Sequence, residues 1–594
     1  MILKALVDYY DALADRGEIS RPGWSNIRIS CAIEIGDDGE LLGILPLKML
    51  DLKGKKLLPR EMELPAAVKR SSGVASNFTW DNATYLLGLG IKNDPERTLK
   101  CFDAAKELHL RLLLDSNDNF SKAICAFFEN WNPTVAEENP IIMEHFELLS
   151  ESGNLVFMYK GQLPMDIPEL RSAWQHNYDD EEEGAKMRCL ITGESTVPLA
   201  VHPSIKNVRD AQSAGAAVVT FNAPSFCSFN REQSLNAPIG KNAAFSYTTA
   251  LNHLLADRDH VVYIGDASVA FWAESAEPQY QNAFLCSIIN DEDEDEATGI
   301  TNKNIQNVMD KLSKGKEADW DGIPLNPENR FYVLGLSPNA ARLSVRFFLR
   351  DSFGNFARHS KEHYERLKIA VPAYEKKADM PLWKLMRETV NPNATDKKSS
   401  PQMSGDMLRA ILTGGRYPAT LYHAVQLRIR ADRNISYRRA AIIKAYLLRN
   451  TADATLKEVL TVQLNEQTTY QPYVLGRIFA VLEGIQEKAN PGLNTTIKDK
   501  YLSSACATPA MVFPVILSLA EKHLRKIKSD TRSYIYCSKS LGELMTLLTE
   551  SFPKHHTMEE QGAFQLGYYH QQQKRYEKKI ITEAESGNDQ GGNQ

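Results

Sequence analysis

The spacing of hydrophobic and polar residues separates a strand-containing region from a helical one. From Ile27 to Ile35 the apolar residues recur at every second position, and the turn residues 36–39 lead into the apolar run LLGILPL. Period two is the spacing of a β-strand with one buried face, so this part of the chain predicts a strand, a turn and a second strand. Other runs rich in β-branched or aromatic residues predict strands at 155–159, 188–192, 217–221, 261–265 and 331–336.

Helical spacing, with apolar residues three or four positions apart, occurs in 1–17, 96–114 and 244–255. From about residue 379 onward the strand patterns stop, and the polar segment 391–406 predicts a linker or exposed loop. Beyond it, apolar residues recur at helical spacing, as at Leu475, Ile478, Phe479, Leu482 and Ile485. Thr557 with Glu560 forms a capping box that predicts the start of the last helix.

These patterns predict an α+β fold. We expect a large mixed N-terminal region with antiparallel sheet elements, followed by an all-α C-terminal helical bundle. The expected domains are an α+β region at 1–380, a basic helical connecting region at 381–465 and the bundle at 466–594.

The composition indicates the kind of protein and its cellular compartment, but it identifies no chemical activity. The chain is 43% hydrophobic and 24% charged, as in an ordinary soluble protein. Its eight cysteines include no C-x-x-C pair, which argues against a zinc ribbon and against a disulfide framework. The first helix carries three aspartates, and no run reaches the length of a membrane span. We therefore expect a cytoplasmic protein without a membrane anchor, a metal or a cofactor.

Positive charge is concentrated in the segment 416–449, although the whole chain has a net charge of −6. This segment has eight basic residues and one acid, Asp432. Cations on a shared surface release counterions when they bind phosphates, so the segment predicts contact with a polyanion. Ser436 is expected to cap a helix whose basic residues point in several directions, which suits contacts to a backbone better than base reading. The alternative is that these arginines pair with the acidic runs 179–183 and 291–296.

A second candidate for nucleic-acid contact is the segment 69–80. It combines two cations, small residues, an amide and two aromatic rings. In a DNA groove, Lys69 and Arg70 would meet phosphates and Asn77 a base edge. An ordinary surface loop is the competing interpretation.

One pattern favours an enzyme. His359, Glu362 and His363 match the inverted zinc-protease motif H-x-x-E-H, in which two histidines share a helix face and the glutamate acts as base. The surrounding residues are densely charged and no third ligand is specified, so a solvated helix face is the simpler interpretation. A metal-dependent hydrolase remains the alternative function.

Several blocks together resemble the large subunit of the type I-C CRISPR Cascade, the Csd family. They run through nearly the whole chain in family order: 189–194 (CLITGE), 202–226, 236–255, 329–348, 415–418 (GRYP), 438–450 (RRAAIIKAYLLRN), 475–490 and 559–572 (EEQGAFQLGYYHQQ).

The resemblance implies a non-enzymatic subunit of an RNA-guided surveillance complex. In such systems the guide RNA reads the target, while protein reads a short adjacent motif in duplex DNA and supports strand opening. The implied partners are double-stranded DNA, CRISPR RNA, the backbone and RNA-processing subunits, a small subunit that the C-terminal bundle resembles, and a helicase-nuclease.

Residue chemistry then suggests two sets of contacts. For the adjacent motif we expect Lys69, Arg70, Ser72, Asn77, Phe78, Gln233 and Asn236, with Gln233 as a wedge in the opening duplex. For the displaced strand we expect Arg428, Arg430, Arg433, Arg438, Arg439, Lys444, Arg525, Lys526 and Lys528.

Overall fold

The chain forms two compact units in a computed structural model. One unit is Met1–Ile205 with Ala217–His253, and the other is Lys206–Ala216 with Leu254–Gln594. The expected boundaries at 380 and 465 both lie inside the second unit. The structure describes residues 2–50, 57–68, 70, 73–90, 94–150, 153–179, 184–221, 223–286, 302–375, 380–395 and 399–588. None of the helices within these ranges combines the length and the apolar composition needed to cross a membrane.

The first unit contains eight strands and eight helices in its described residues. The strands are β1 Trp24–Ile35, β2 Leu41–Pro46, β3 Lys48–Leu50, β4 Leu57–Pro65, β5 Trp80–Asn82, β6 Asn154–Tyr159, β7 Met187–Arg188 and β8 Ser195–Thr196. The helices are α1 Ile2–Asp15, α2 Ala83–Leu86, α3 Pro95–Leu113, α4 Asn119–Asn130, α5 Pro140–Glu144, α6 Phe146–Ser150, α7 Pro168–Asp179 and α8 Lys241–Ala256. Short 3₁₀ helices occupy Pro133–Glu138, Pro164–Asp166, Pro224–Phe226 and Gln233–Asn236.

The main sheet of this unit is built around β1. Its strand order is β3-β4-β1-β6-β5, and β2 pairs with β1 outside that path. β1 pairs antiparallel with β4 and β2 and parallel with β6. The pairing of β1 with β6 is irregular between Ile29 and Cys31, which interrupts the strict alternation of faces. Ile29 therefore packs in a small cluster on one face, whereas Cys31 and Ile33 belong to the main core on the other.

The second unit combines a four-stranded antiparallel sheet with a helical assembly. Its strands are β9 Val261–Ile264, β10 Ala267–Ala273, β11 Ala318–Trp320, β12 Ile323–Leu325, β13 Arg330–Asn339 and β14 Arg342–Ser352. Its helices are α9 Pro278–Phe284, α10 Asn302–Ser313, α11 Phe353–Leu367, α12 Leu382–Arg387, α13 Pro401–Thr413, α14 Ala419–Asp432, α15 Tyr437–Asn450, α16 Ala454–Val459, α17 Gln471–Ala489, α18 Ile497–Ala507, α19 Pro509–Lys526, α20 Thr531–Met545 and α21 Met558–Asn588, with 3₁₀ turns at Arg258–His260 and Ile527–Ser529.

One hydrophobic core runs through the second unit. The sheet order is β14-β13-β10-β9, and its residues Phe271 and Phe331 belong to the same buried cluster as Leu475 and Phe564 of the helical part. This cluster therefore crosses both expected boundaries, at 380 and at 465.

The helices α17 and α21 approach closely because glycines stand at their contact. A Cβ at Gly476 would lie 1.9 Å from the Phe564 carbonyl oxygen, and a Cβ at Gly567 would lie 2.0 Å from the Tyr473 carbonyl oxygen. Only residues without a side chain fit such an approach of two backbones. The close contact brings buried polar groups of both helices together.

Glu483 is the centre of this buried polar contact. It is buried, and it accepts hydrogen bonds from Tyr568 Oη at 2.6 Å and from Gln572 Nε2 at 3.2 Å. Arg477, also buried, donates to Gln571 Oε1 at 3.0 Å and to the Glu466 carbonyl oxygen at 2.9 Å. Satisfied buried groups of this kind fix the register of two packed helices.

The predicted α+β class is confirmed, with mixed structure first and helices at the C-terminal end. The predicted strands at 27–35, 155–159, 261–265 and 331–336 correspond to β1, β6, β9 and β13, and Thr557 and Glu560 form the expected capping box.

Three local predictions were wrong. The run 217–221 forms no strand, and only Met187–Arg188 is extended where 188–192 was expected. The segment 391–406 was expected to be a linker, but α13 begins within it, at Pro401. Burial of Met403 and Met407 in the core stabilises this helix. The acidic runs lie, except for Asp179, outside the described residues.

We expect Gly476→Ala and Gly567→Ala to lower the free energy of unfolding by about 1–3 kcal/mol or more each, because the added methyl group must push two backbones apart. Gly542→Ala is the matched control, since nothing lies within 4 Å of its Cβ position on α20. That change should be neutral or stabilise by about 0.5–1 kcal/mol, through helix propensity. Denaturant unfolding of the purified chain measures all three, and equal stability of Gly567→Ala and wild type would contradict the close packing.

Candidate nucleic-acid interface

Arg70 holds together the loop in which adjacent-motif contacts were expected. Its guanidinium forms an ion pair with the buried carboxylate of Asp81, and its Nε donates to the Ala75 carbonyl oxygen at 2.6 Å. The guanidinium also lies 3.9 Å from the ring centroid of Tyr85. Burial raises the pKa of Asp81, and the hydrogen bond from Arg70 opposes this shift. Arg70 is thus committed to intramolecular contacts on several sides.

Asn77 and Phe78 are buried within the same loop. The Asn77 Oδ1 accepts from the backbone N–H of Val68 at 2.9 Å. The Phe78 ring stacks near His109 and Trp174, at centroid distances of 5.2 and 5.8 Å. Side chains in these positions are not accessible to a DNA groove, so direct contact by Asn77 or Phe78 does not fit the structure. They shape the loop instead.

Two other residues expected in this loop, Lys69 and Ser72, lie outside the described residues. The neighbouring Gly73 and Val74 are exposed. Arg70 thus connects the buried Asp81 to the Ala75 carbonyl oxygen, next to the exposed residues Gly73 and Val74.

Gln233 lies in a separate exposed loop, 223–237. The side chain of Asn236 fastens this loop: its Oδ1 accepts from the Ser228 N–H at 2.9 Å, and its Nδ2 donates to the carbonyl oxygens of Arg231 at 2.9 Å and Gln233 at 3.0 Å. Asn236 is therefore a support of the loop. Gln233 itself is exposed and has a φ of 42°, a left-handed conformation that is costly for a residue with a side chain.

The sequence interpretation missed Phe229 at the tip of the same loop. Its side chain is 93% exposed, and its φ of 52° and that of Asn230, 56°, are also positive. Left-handed non-glycine residues are concentrated at functional sites, where the surrounding structure supports their cost. The signal available in the sequence was an aromatic residue among small polar ones.

Most cations of the segment 416–449 are used inside the second unit. Asp432, the one acid of the segment, forms ion pairs with Arg428 and with Arg439, the latter at 2.6 Å. Burial raises the pKa of Asp432, but the hydrogen bonds from these two arginines outweigh it and the pKa is lowered. Arg439 is buried and also pairs with Glu388 at 3.1 Å, and Arg438 pairs with Glu375 at 3.3 Å.

Lys444 is also buried. Its Nζ donates to the Arg366 carbonyl oxygen at 2.9 Å, and burial lowers its pKa to about 8. Arg430 and Arg433 are exposed, although Arg430 donates to Gln561 Oε1 at 2.8 Å. Displaced-strand contacts by Arg428, Arg438, Arg439 and Lys444 thus do not fit the structure. The three arginines pair with Asp432, Glu375 and Glu388, which lie outside the acidic runs named in the alternative, and Lys444 bonds to a carbonyl oxygen.

A different set of cations is exposed at the end of α19 and the start of α20. Arg525, Lys526 and Lys528 were expected at the displaced strand, and Lys522 and Arg532 stand beside them in the sequence; all five side chains are exposed. Lys526 donates to Asn490 Oδ1 at 2.8 Å, and none of the five cations forms an ion pair with any residue that the structure describes. We call these five cations the α19–α20 surface.

An exposed aromatic ring lies on α20, the helix that also carries Arg532 of the α19–α20 surface. Tyr536 lies on α20, and Lys488 Nζ lies 4.7 Å from its ring centroid. Unpaired cations with a neighbouring aromatic ring form the combination that binds the backbone and bases of single strands.

The motif H-x-x-E-H lies on α11. His363 is buried, its Nδ1 lies 2.6 Å from Tyr417 Oη, and burial lowers its pKa to about 3. His359 Nδ1 lies 2.8 Å from the Leu412 carbonyl oxygen, and Glu362 pairs with Arg366 at 3.4 Å. Within the described ranges, no group of three potential ligands is placed to hold a metal ion. These contacts fit a packed helix rather than a hydrolytic centre.

We expect Arg439→Ala to lower the free energy of unfolding by about 1–3 kcal/mol, because it leaves the partly buried Glu388 without its cation and Asp432 with Arg428 alone. Arg416→Ala, at an exposed arginine of the same segment, is the control and should change stability by no more than about 0.5 kcal/mol. Chemical denaturation compares the two variants. Equal stability of both would show that Arg439 is not an internal support.

A family model described as CRISPR-associated protein (Cas_Csd1) matches residues 6–576. No curated protein gives a match. The matched range covers most of both compact units and includes the 223–237 loop and the α19–α20 surface. The chain therefore belongs to the Cas_Csd1 family of CRISPR-associated proteins.

Proposed function

We propose that this chain is the non-catalytic large subunit of a type I-C RNA-guided surveillance complex. In the cytoplasm it would recognise the protospacer-adjacent motif in double-stranded DNA, promote strand opening, stabilise the displaced strand and help recruit the helicase-nuclease. Its partners would be CRISPR RNA, the backbone and RNA-processing subunits and a small subunit. The family supports the CRISPR association. The finer assignments rest on the resemblance to the type I-C large subunit, and the two proposed DNA contacts also rest on the surfaces described above.

The observation that carries this proposal is the difference between two groups of cations in the second unit. The arginines of 428–439 are largely paired with acids, whereas the five exposed cations of the α19–α20 surface form no ion pair among the described residues. Unpaired surface cations gain the most from phosphate, because binding releases counterions and breaks no internal pair. Such a surface holds a strand without reading its bases.

Motif reading is a separate task that needs a fixed side chain at the duplex. Guide pairing supplies target sequence, so the protein needs only a short contact that licenses opening. Gln233 meets the requirement for access, since it is exposed on a loop fastened by Asn236. Its amide offers both a donor and an acceptor to a base edge. Arg70 and Asn77 contribute by fixing the backbone at Ala75 and Val68, near the exposed Gly73.

The non-catalytic assignment is supported by the burial of the H-x-x-E-H motif on α11, which is the strongest candidate for an enzymatic site. His363, which the motif requires as a metal ligand, is buried and contacts the Tyr417 hydroxyl, so a metal ion could not reach it without opening the core of the second unit. A subunit of this kind would recruit the enzyme that degrades the target instead of acting on DNA itself.

We expect the double charge reversal Arg525→Glu with Lys528→Glu to weaken binding of single-stranded DNA by the purified chain by about tenfold or more at low salt. Each lost phosphate contact should reduce the slope of log affinity against log salt by about 0.7. Fluorescence anisotropy with a labelled oligonucleotide measures both quantities.

The matched control is Lys316→Glu with Lys457→Glu, which changes net charge equally at two exposed lysines elsewhere in the second unit. This control should keep nearly all of the affinity and salt slope. If both double variants lost affinity to the same extent, the effect would belong to net charge and the strand-holding role of the α19–α20 surface would be wrong.

We expect Gln233→Ala to reduce opening of matched targets by the assembled complex by about tenfold, while the thermal unfolding of the chain stays unchanged. Loss of one good base contact costs about 1–3 kcal/mol. Strand opening is followed with a base analogue placed beside the adjacent motif in the target duplex.

Asn77→Ala is the contrasting variant. It should lower stability by about 1–3 kcal/mol, since the Val68 N–H loses its buried acceptor. Unchanged discrimination between correct and incorrect adjacent motifs in Gln233→Ala would rule out Gln233 as a motif contact.

A further inference from the structure

The helix α12 exposes an aromatic residue and a cation on one face. Leu382, Leu385 and Met386 are buried in the core of the second unit, which directs Trp383 and Arg387 outward. These two residues are four positions apart and so share a helix face. All seven tryptophans of the chain are among the described residues, and Trp383, at 52% exposure, is the one that is exposed.

Two cavities meet at this face. One, of about 340 Å³, is lined by Trp383 and Arg387 together with Lys384 and the arginines Arg438 and Arg439. The other, of about 710 Å³, is lined by Trp383 and Arg387 together with Arg209, Tyr263, Asp266 and Ser404. Both volumes lie in the range of small-ligand sites, about 300–1,000 Å³. We call the two cavities together the α12 groove.

Each cavity has an aromatic ring with a cation against it. Lys384 Nζ lies 5.3 Å from the ring centroid of Trp383. The guanidinium of Arg209 lies 5.5 Å from the ring centroid of Tyr263, whose side chain is 48% exposed. Two half-exposed rings beside cations offer surfaces on which flat, electron-rich groups stack.

The charge of the groove favours an anion. Three carboxylates line the walls, and each has an arginine partner: Glu388 pairs with Arg439 at 3.1 Å, Asp266 with Arg346 at 2.5 Å and Asp210 with Arg209 at 3.9 Å. Arg387 is exposed and forms no ion pair with any residue in the described ranges. A phosphate at Arg387 would therefore meet an unpaired guanidinium at the junction of the two cavities.

The wall of the larger cavity is preformed. Gly265, in the turn between β9 and β10, has a φ of 63°, and a Cβ there would lie 2.7 Å from Pro401 Cα. The turn thus packs directly against the start of α13. This contact fixes the turn beside Tyr263 against α13, whose residues Pro401 and Ser404 line the same cavity, which lowers the ordering cost of binding.

We propose that the α12 groove binds an unpaired nucleotide, with its base stacked on Trp383 and its phosphate held by Arg387. Tyr263 would stack a second base when the nucleotide belongs to a strand. Two kinds of ligand carry this base and phosphate: a free nucleotide and a nucleotide within a single strand. The inference does not depend on the proposed function, because it concerns a different surface of the free chain.

The test uses the purified full-length chain carrying the Arg525→Glu and Lys528→Glu reversals, so that binding at the α19–α20 surface is reduced. Affinity for labelled single-stranded oligothymidine is measured by anisotropy. Trp383→Ala should weaken binding by about 5- to 150-fold, the effect of losing one stacked base. Arg387→Ala should reduce the salt slope by about 0.7.

Trp383→Phe keeps an aromatic ring and should retain most of the affinity. Tyr374→Ala is the matched control, since it removes a ring that is 77% exposed in the same unit but does not line the groove. It should leave binding unchanged. The thermal midpoints of all variants are compared, so that loss of folding is not taken for loss of binding.

Photocrosslinking with 5-bromouracil in the oligonucleotide locates the contact, and mass spectrometry should identify Trp383 or Tyr263. Thymidine monophosphate that competes at millimolar concentration identifies a free nucleotide as the source, whereas competition by oligonucleotides alone identifies a strand. Either result supports the site. Unchanged affinity in Trp383→Ala, or crosslinks confined to residues outside the groove, would overturn it, as would stronger competition by an acidic peptide than by any nucleotide.

Discussion

The close approach of α17 and α21 is the constraint on which the second unit depends. Two glycines, Gly476 and Gly567, remove the side chains that would keep the backbones apart. The resulting contact buries Glu483 and Arg477 with their hydrogen-bonding partners. Buried polar groups of this kind penalise any other register, because a shift would leave charges without partners in the core.

The last helix also ties distant parts of the second unit together. Tyr569 Oη donates to the Ala370 carbonyl oxygen at 2.6 Å, and the amides of Gln426 and Gln565 bond to each other at 2.7 and 2.8 Å. The helical region beyond residue 466 therefore shares its core with residues from the sheet onward. The C-terminal helices are thus one part of the second unit and share its core.

This packing determines which cations can meet a nucleic acid. Arg439 and Lys444 face the interior because α15 is covered by neighbouring helices, and their charge is met by carboxylates or carbonyl oxygens. The cations of the α19–α20 surface lie at a turn between helices, where nothing described covers them. The basic segment 416–449 supplies mostly cations that stabilise the fold, whereas the shorter segment 522–532 leaves its cations accessible.

The sequence by itself determined the α+β class, most strands and helices, and local details such as the capping box of Thr557 with Glu560. These features depend on residues that are neighbours along the chain, and periodicity reports them directly. The sequence also indicated Arg525, Lys526, Lys528 and Gln233 as candidate DNA contacts, and their side chains are exposed in the structure.

Only the tertiary structure decided which side chains are free to act. Asn77 and Phe78 are buried, Arg428 and Arg439 are paired, and Trp383 is exposed beside a cavity. The partners that decide these outcomes, such as Glu388 for Arg439 or Trp174 for Phe78, are tens of residues away in the sequence. Burial and ion pairing are properties of such distant contacts, so no local pattern of charge or hydrophobicity could reveal them.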